Sequence, residues 1–210
     1  MTVASLDVDS QRTFSELCPD ELPVLDGEAI VGELNAQAKL ARYRCFSKDA
    51  HPANPLWLAA APEAQLRPTG LGNADVTWVR HATVGTDGFE LLPGLPKASD
   101  YDFFVYKGVE RDMHPYGACF QDTHLKISTG LIEWLRDKGV DTVIVGGLAL
   151  DYCVKTTVLQ LVEQGGFRVI LNLAATRGLA EETSVEAVRR MSEAGALIAQ
   201  DAEDVARLLG

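Results

Sequence analysis

The sequence predicts an α/β protein with a mostly parallel central sheet and helices on both faces, in a Rossmann-like three-layer arrangement. Short apolar, β-branched or aromatic runs alternate with segments of 3.6-residue apolar periodicity along the whole chain. Strands that alternate with helices are joined by right-handed crossovers, which make the sheet parallel and cover both of its faces. Neither a linker nor an internal repeat interrupts this order. We therefore expect residues 1–210 to form one domain.

The first half of the chain contains three predicted strands and one helix. Val3–Val8 is an apolar run typical of a buried strand, and the apolar residues from Ile30 to Ala41 recur along one helical face. Tyr43–Phe46 predicts a second strand, and the aromatic and β-branched run Asp102–Tyr106 predicts a third. The intervening residues 50–95 are rich in proline and glycine. We predict a mostly irregular segment here, and loops of this length usually have a function.

The second half repeats the pattern of strand and helix. The predicted strands are Thr142–Val145, Phe167–Leu171 and Ala196–Ala199. The predicted helices are one that ends at Gly139, one that carries Val154 and Val162, one that opens at Thr183 and one from Glu203 to Leu209. Thr183-Ser-Val-Glu186 has the spacing of a capping box, which begins a helix. Ligands of open parallel sheets bind beyond the carboxyl ends of the strands, so the residues directly after strands are the first site candidates.

Composition excludes several classes of function. The chain has 30 acidic and 19 basic residues, a net charge of −11 and no basic stripe, so we expect no nucleic acid partner. No apolar run approaches the roughly 20 residues that span a bilayer, and the first residues do not resemble a signal peptide. We therefore expect no membrane partner and a cytoplasmic protein. The cysteines are widely spaced and form no Cys-x-x-Cys pair, which favours free thiols: Cys18, Cys45, Cys119 and Cys153.

Three reactive side chains follow predicted strands. Asp9 follows the first strand, Lys107 follows the aromatic strand, and Cys153 lies shortly after the strand that ends at Val145, where a helix begins. Taken singly, Asp9 could cap a turn, Lys107 could be a solvated charge and Cys153 could be an inert core thiol. Together, a thiol, a carboxylate that accepts its proton and a fixed cation form an activated nucleophile that attacks acyl carbons.

A second group of candidates suits a metal ion. Asp49 and His51 follow the second predicted strand, and His81 follows Trp78-Val-Arg. An aspartate and a histidine two positions apart point the same way in extended backbone, and imidazole with carboxylate suits Zn²⁺, Mn²⁺ or Fe²⁺. Three protein ligands leave positions open for water or substrate, as in catalytic sites. The residues alone leave open the alternative that His51 and His81 are unrelated surface residues.

Six segments match, in chain order, the motifs of one enzyme family. They are Val8–Phe14, Lys48–Asn54, Trp78–His81, Gly85–Glu90, Tyr106–Gly108 and Gly147–Lys155. The best match is the last, Gly-Leu-Ala-Leu-Asp-Tyr-Cys-Val-Lys, which contains the candidate nucleophile. On these segments the chain resembles the nicotinamidase/pyrazinamidase branch of the isochorismatase-like cysteine hydrolases, and the matches extend over nearly the whole chain.

The resemblance implies roles for the two groups of candidates. It implies a catalytic triad of Asp9, Lys107 and Cys153. It also implies a binding site for one divalent transition metal ion, zinc first with iron or manganese as alternatives, whose ligands are Asp49, His51 and His81.

The resemblance further implies a lining for the substrate pocket. The backbone N–H groups of Ala149 and Cys153 would form the oxyanion hole, with a cis peptide between Leu148 and Ala149. Aromatic walls would enclose the substrate ring, and each of them could equally be core packing: Phe14, Trp78 and Tyr116.

The expected activity is hydrolysis of nicotinamide to nicotinate and ammonia through a thioester, with pyrazinamide as a second substrate. The partner would be a small aromatic amide, and a homo-oligomer is compatible with the sequence. One alternative is another cysteine amidase of the same superfamily, acting on a carbamoyl, ureido or maleamate-type amide. The other is a non-catalytic binding protein on the same fold.

The chain departs from the family pattern at three places. It has Arg12-Thr13 where the family often has Asn-Asp, and Trp57 where some members have a further histidine or serine ligand. His114-Pro-Tyr-Gly-Ala-Cys-Phe120 differs from the usual Asp-Ser-Tyr-Ser-x-Phe, so a shifted substrate range is expected. We interpret His114 and His124 as surface or packing residues.

Overall fold

The computed structural model describes residues 1–210 and has a six-stranded sheet at its centre. The strands are β1 Val3–Val8, β2 Tyr43–Asp49, β3 Pro68–Leu71, β4 Ala74–Val76, β5 Phe103–Lys107, β6 Thr142–Leu148, β7 Arg168–Arg177 and β8 Leu197–Ala199. The helices are α1 Val31–Ala38, α2 Leu131–Asp137, α3 Lys155–Gln160, α4 Glu181–Glu193 and α5 Ala202–Leu209. The sheet order is β5-β2-β1-β6-β7-β8 and every pairing is parallel, so the predicted α/β fold is confirmed.

Helices cover both faces of the sheet because the side chains of each strand alternate between the faces. Val143 and Val145 of β6 belong to the largest apolar cluster, together with residues of α2, α3 and α4. Ile144, between them, packs in a separate cluster with Val205 of α5. Leu34 of α1 lies in a third cluster on that second side. The sheet is therefore the middle of three layers, as the sequence predicts.

The structure differs from the sequence prediction at several element boundaries. β2, β6 and β7 extend further at their carboxyl ends than the apolar runs indicate, to Asp49, Leu148 and Arg177. Residues 50–95, predicted to be mostly irregular, contain the antiparallel hairpin of β3 and β4. No helix of the structure combines the length and the apolar character needed to cross a membrane.

The predicted capping box at Thr183 is wrong. α4 begins two residues earlier, at Glu181. A distant carboxylate holds the residues directly before the helix: Asp151 accepts backbone N–H bonds from Leu179 at 3.1 Å and from Ala180 at 3.3 Å. Thr183 lies within the first turn and donates its hydroxyl to the same Asp151 carboxylate at 2.5 Å. A tertiary contact, rather than the local motif, therefore fixes the segment in which the helix begins.

Candidate active site

Four adjacent strands deliver the candidate catalytic side chains to one edge of the sheet. Asp9 directly follows β1, Asp49 and Lys107 are the last residues of β2 and β5, and Cys153 lies in a π-helical turn after β6. These strands are neighbours in the order β5-β2-β1-β6. The register pairs Asp49 directly with Lys107. Parallel pairing thus brings together residues that are far apart in the chain.

The ammonium group of Lys107 lies at the centre of these side chains. Its Nζ is 2.9 Å from Asp9 Oδ2, contacts Asp49 Oδ1, and donates to the Pro115 carbonyl at 3.2 Å. It also lies 3.7 Å from Cys153 Sγ. Asp9, Asp49 and Cys153 each place one reactive atom within 4.8 Å of the others. The structure therefore brings together all three predicted triad residues in a buried site.

Asp9 is fixed in an unusual conformation. Its φ is 42°, in the left-handed region that residues with a Cβ rarely adopt, and such conformations persist where the surroundings enforce them. Its backbone N–H donates to the Ser47 carbonyl at 3.0 Å, and the Ser47 hydroxyl donates to Asp9 Oδ1 at 2.6 Å. Ser47 belongs to β2, so the neighbouring strand holds both the backbone and the carboxylate of Asp9.

Burial and nearby charges shift the pKa values of Cys153 and Asp9 upwards and that of Asp49 downwards. Burial raises the pKa of the Cys153 thiol well above its usual value, although Lys107 opposes the shift. Burial also raises the pKa of Asp9, again against Lys107. For Asp49, burial alone would raise the pKa, but Lys107 and His51 outweigh it and hold the pKa well below the usual value. At rest, the thiol is therefore protonated and Asp49 is the firmly ionised carboxylate.

The predicted metal ligands also lie together. Asp49 Oδ2 is 3.6 Å from His51 Nε2 and 3.9 Å from His81 Nε2. The Nδ1 atoms of the two rings face carbonyl oxygens, that of Gly108 at 3.1 Å for His51 and that of Val79 at 2.7 Å for His81. A hydrogen on Nδ1 satisfies each of these contacts and leaves the Nε2 lone pair free. Metal-binding histidines are commonly oriented in this way.

A third histidine joins this group. His114 is 3% exposed, its Nε2 is 3.3 Å from His81 Nε2, and the ring nitrogens of His51, His81 and His114 lie within 4.8 Å of one another. The sequence interpretation of His114 as a surface or packing residue missed this arrangement. One available signal was its place in the loop directly after the strand that ends at Lys107. His124, interpreted in the same way, is exposed and outside the cluster.

A narrow cleft lies beside Cys153, His81 and His114. Its lining includes all three predicted aromatic walls, Phe14, Trp78 and Tyr116. Tyr116 is oriented by two hydrogen bonds, since it accepts from Trp78 Nε1 at 3.1 Å and donates to Asp75 at 2.7 Å. Sequence reasoning missed three further lining residues, Leu22, Tyr152 and Leu179. Leu22 and Leu179 carry no polar or positional signal of a site, whereas the position of Tyr152 directly before Cys153 was an available signal.

The turn between β6 and Cys153 also matches the prediction. The peptide bond between Leu148 and Ala149 is cis, as expected. Ala149 lines the cleft next to Cys153. The turn then continues as one π-helical turn, Leu150–Val154, into α3. Both predicted oxyanion-hole residues therefore border the same cleft.

Comparison with known proteins agrees with this geometry. The family model described as the isochorismatase domain matches residues 29–203. The chain belongs to the isochorismatase family. Within the family, the nicotinamidase of Escherichia coli (strain K12) is 32% identical over 203 residues, which cover 93% of this chain and 93% of that protein.

Solved structures of the family share the fold. The structure of an Acinetobacter baumanii nicotinamidase/pyrazinamidase superposes with a TM-score of 0.85 at 28% identity, covering 97% of this chain and 98% of that one. The pyrazinamidase of Pyrococcus horikoshii, solved in complex with zinc, gives a TM-score of 0.74 at 28% identity, covering 95% and 99%. The match thus extends over almost the full length of each chain.

Proposed function

We propose that this isochorismatase-family chain is a nicotinamidase, which hydrolyses nicotinamide to nicotinate and ammonia and accepts pyrazinamide in the same way. One observation carries the proposal: a buried thiol, carboxylate and ammonium meet beside converging imidazoles at the base of an aromatic cleft. Such a set can attack a carboxamide, and the aromatic lining suits a flat ring. The Escherichia coli relative, itself a nicotinamidase, supports the choice of substrate.

In this mechanism, Asp9 is the general base and Cys153 is the nucleophile. Because the pKa of the thiol is raised by burial, the proton leaves only as sulfur attacks, and it moves to Asp9. The N–H groups of Ala149 and Cys153 hold the oxyanion of the tetrahedral intermediate. Asp9 then gives the proton to the departing ammonia, which leaves a thioester. Water deprotonated by Asp9 attacks the thioester and releases nicotinate and the thiol.

Lys107 stabilises the charge that moves between Asp9 and Cys153. Its Nζ is 2.9 Å from Asp9 Oδ2 and 3.7 Å from Cys153 Sγ, so it faces whichever of the two is ionised. Its own pKa stays well above the usual value because Asp49 and Asp9 outweigh the effect of burial. Lys107 therefore remains a cation through the cycle and needs no proton exchange.

The residues beside the triad fit a divalent cation. His51 Nε2 is buried and has no hydrogen-bond partner, although Asp49 lies near it. With both carboxylates ionised, Asp9, Asp49 and Lys107 sum to −2 + 1 = −1, and a cation next to Asp49 would offset this buried charge. Asp49, His51 and His81 would hold the ion, and the zinc complex of the Pyrococcus horikoshii pyrazinamidase supports zinc. The ion would accept the pyridine nitrogen and orient the carboxamide towards Cys153.

The cellular setting follows from the same reaction. Nicotinate is a precursor that pyridine nucleotide synthesis can reuse, so we place the activity in NAD salvage. All four cysteines are free, as in proteins of a reducing compartment, which supports the cytoplasm as its location.

An ammonia-release assay tests the proposed function. The purified protein would be assayed with nicotinamide, pyrazinamide and an aliphatic amide of similar size, each with and without a chelator. We expect turnover of the two aromatic amides, little turnover of the aliphatic amide, and loss of activity after chelation that added zinc, manganese or iron restores. Preferred turnover of a carbamoyl or ureido compound would contradict the substrate, and no turnover of any amide by metal-loaded protein would contradict the activity.

A further inference from the structure

We propose that His114 is a further ligand of the bound metal ion, so that three imidazoles and the Asp49 carboxylate surround it. This inference rests on the metal site of the proposed function and deepens it. His114 comes from the loop after β5, outside the segments that supply the other ligands.

The distances suit one shared ion. Two nitrogens bound to the same zinc, each about 2.1 Å from it, are about 3.4 Å apart at a tetrahedral angle. His81 Nε2 and His114 Nε2 are 3.3 Å apart. The ring of His114 also stacks on that of His51, with 5.0 Å between the centroids and 19° between the planes. A ring nitrogen of His114 therefore lies as close to the nitrogens of the other two imidazoles as one shared ion requires.

The hydrogen bonds of the cluster leave two arrangements, which exclude each other. Because the Val79 carbonyl faces His81 Nδ1, His81 offers a single free lone pair, at Nε2. If His114 donated an N–H to this lone pair, His81 could not bind a metal ion. If His114 instead presents its own lone pair, both rings face the ion. A working metal site that includes His81 therefore requires the second arrangement.

Trp57 packs beside the histidines but cannot itself be a metal ligand. The indole has no lone pair to offer, and its Nε1–H donates to the Met113 carbonyl at 2.9 Å. It packs edge-on against His51 and His114, with centroid distances of 4.7 and 4.5 Å. Trp57 therefore holds Met113, the residue before His114, in place.

The backbone of His114 is fixed from a second side. Its N–H donates to the Asn73 carbonyl at 2.7 Å, in the turn between β3 and β4. With Trp57 on one side and this turn on the other, the loop is held in one position. The additional ligand still leaves a place for substrate, because zinc can expand from four to five ligands and the alternative metals take six.

The test counts the imidazoles on the metal. The metal would be removed with a chelator, and the protein would be reloaded with Co²⁺ or Zn²⁺ alone. X-ray absorption would give the number of histidine ligands. Titration followed by the Co²⁺ visible spectrum would give the metal affinity. We expect three imidazoles in the unmodified protein and two in His114→Phe, which keeps an aromatic ring in the stack. The affinity of His114→Phe should fall at least 10-fold, as it does when even outer groups of a metal site are lost. His124→Ala, at the exposed histidine, should match the unmodified protein.

Several results would overturn the inference. Two imidazoles in the unmodified protein would do so without any variant, as would a His114→Phe spectrum and affinity equal to those of the unmodified protein. His114→Gln provides a smaller polar replacement if the phenylalanine variant does not fold. The metal readout is separate from the amidase assay. If the protein is an active amidase but the number of bound imidazoles is the same with and without His114, only this inference is overturned. If three imidazoles bind the metal but the protein has no amidase activity, only the proposed function is overturned.

Discussion

At the residue scale, the sequence could predict the site residues that lie at the carboxyl ends of strands. Asp9, Asp49 and Lys107 were predictable as candidates because they lie at or shortly after the ends of apolar runs, and parallel strands bring their carboxyl ends together. His114 was not predictable in this way. It lies in an irregular loop, where no periodicity specifies direction, and two tertiary hydrogen bonds fix its place, from Trp57 to Met113 and from His114 to Asn73.

The first prediction concerns the nucleophile. Cys153→Ala should reduce ammonia release by about 10⁴-fold or more, because no other group can form the thioester. The metal content should stay unchanged, since Cys153 is not one of the proposed ligands. Activity and metal analysis on the same preparation check both points. The control is Cys119→Ala, which removes a buried thiol of the apolar core and should keep activity. Substantial turnover by the Cys153→Ala protein would contradict covalent catalysis.

The second prediction concerns the glycine beside His51. Gly108 has a φ of +72°, and an added Cβ would lie 2.6 Å from His51 Cε1. Gly108→Ala should therefore displace the imidazole and weaken metal binding at least 10-fold, besides costing about 1 kcal/mol for the left-handed conformation.

A matched control separates these two effects. Gly139 has a φ of +65° with no atom near an added Cβ. Gly139→Ala should have a similar cost in stability and leave metal affinity unchanged. Metal titration and urea unfolding of both variants measure the comparison. Equal metal affinity in the two variants would show that Gly108 is needed only for its backbone conformation.

At the element scale, the sequence located most helices and strands but misjudged several of their ends. β6 and β7 continue past their apolar runs because neighbouring strands supply hydrogen-bond partners to residues that carry no strand signal of their own, such as Gly146 and Arg177. α4 begins early because Asp151, 30 residues before Glu181, binds the N–H groups ahead of it. Such partners come from elsewhere in the fold, and a local pattern does not contain them.

The third prediction concerns the pairing of β1 with β2. The buried carboxylate of Asp7 on β1 is 2.7 Å from Arg44 Nη2 on β2 and accepts from the Tyr101 hydroxyl at 2.8 Å. Arg44→Met should lower the free energy of unfolding by about 3 kcal/mol near pH 8, because it leaves a buried charge without its partner.

The loss should shrink towards acid pH. Burial raises the pKa of Asp7 above its ordinary value, while Arg44 lowers it, so removing Arg44 raises the pKa further. A carboxyl group whose pKa is raised by folding favours the folded state when protonated, and this contribution is lost as the pH rises through the folded pKa. Urea unfolding near pH 5 and near pH 8 should show the smaller deficit at pH 5.

Arg42→Met, at an exposed arginine, is the control and should change the free energy of unfolding by less than about 0.5 kcal/mol at either pH. A deficit of Arg44→Met that is independent of pH would contradict the charge argument.

At the scale of the whole molecule, the sheet order is what turns separate residues into a site. The four strands β5, β2, β1 and β6 are neighbours, so the groups at their carboxyl ends converge although Asp9 and Cys153 are far apart in the chain. The class of fold was predictable from alternating strands and helices. The order of the strands was not, since periodicity does not say which strand pairs with which. The site residues were candidates from their positions in the sequence, and the resemblance to the family then implied their roles.

The fourth prediction concerns metal and the stability of the whole fold. Ligands of the proposed ion come from β2, from the loop after β4 and from the loop after β5, so bound metal links distant parts of the chain. An ion that binds only the folded state, at about 100 times its Kd, adds about 2.7 kcal/mol. For a chain of this size, each kcal/mol corresponds to about 2–4 °C in Tm. Chelation should therefore lower the Tm of the loaded protein by about 5–10 °C, and added Zn²⁺ should restore it.

A ligand variant provides the control for this effect. His81→Ala removes an imidazole that lies 3.9 Å from Asp49, so its Tm should respond much less to chelator and to added Zn²⁺. Scanning calorimetry with parallel metal analysis checks both proteins. If metal analysis shows that the ion has left the unmodified protein and the Tm stays the same, the ion does not stabilise the fold by linking the segments that supply its ligands. The three histidines would then have to be held by the packing of Trp57 and the loops alone.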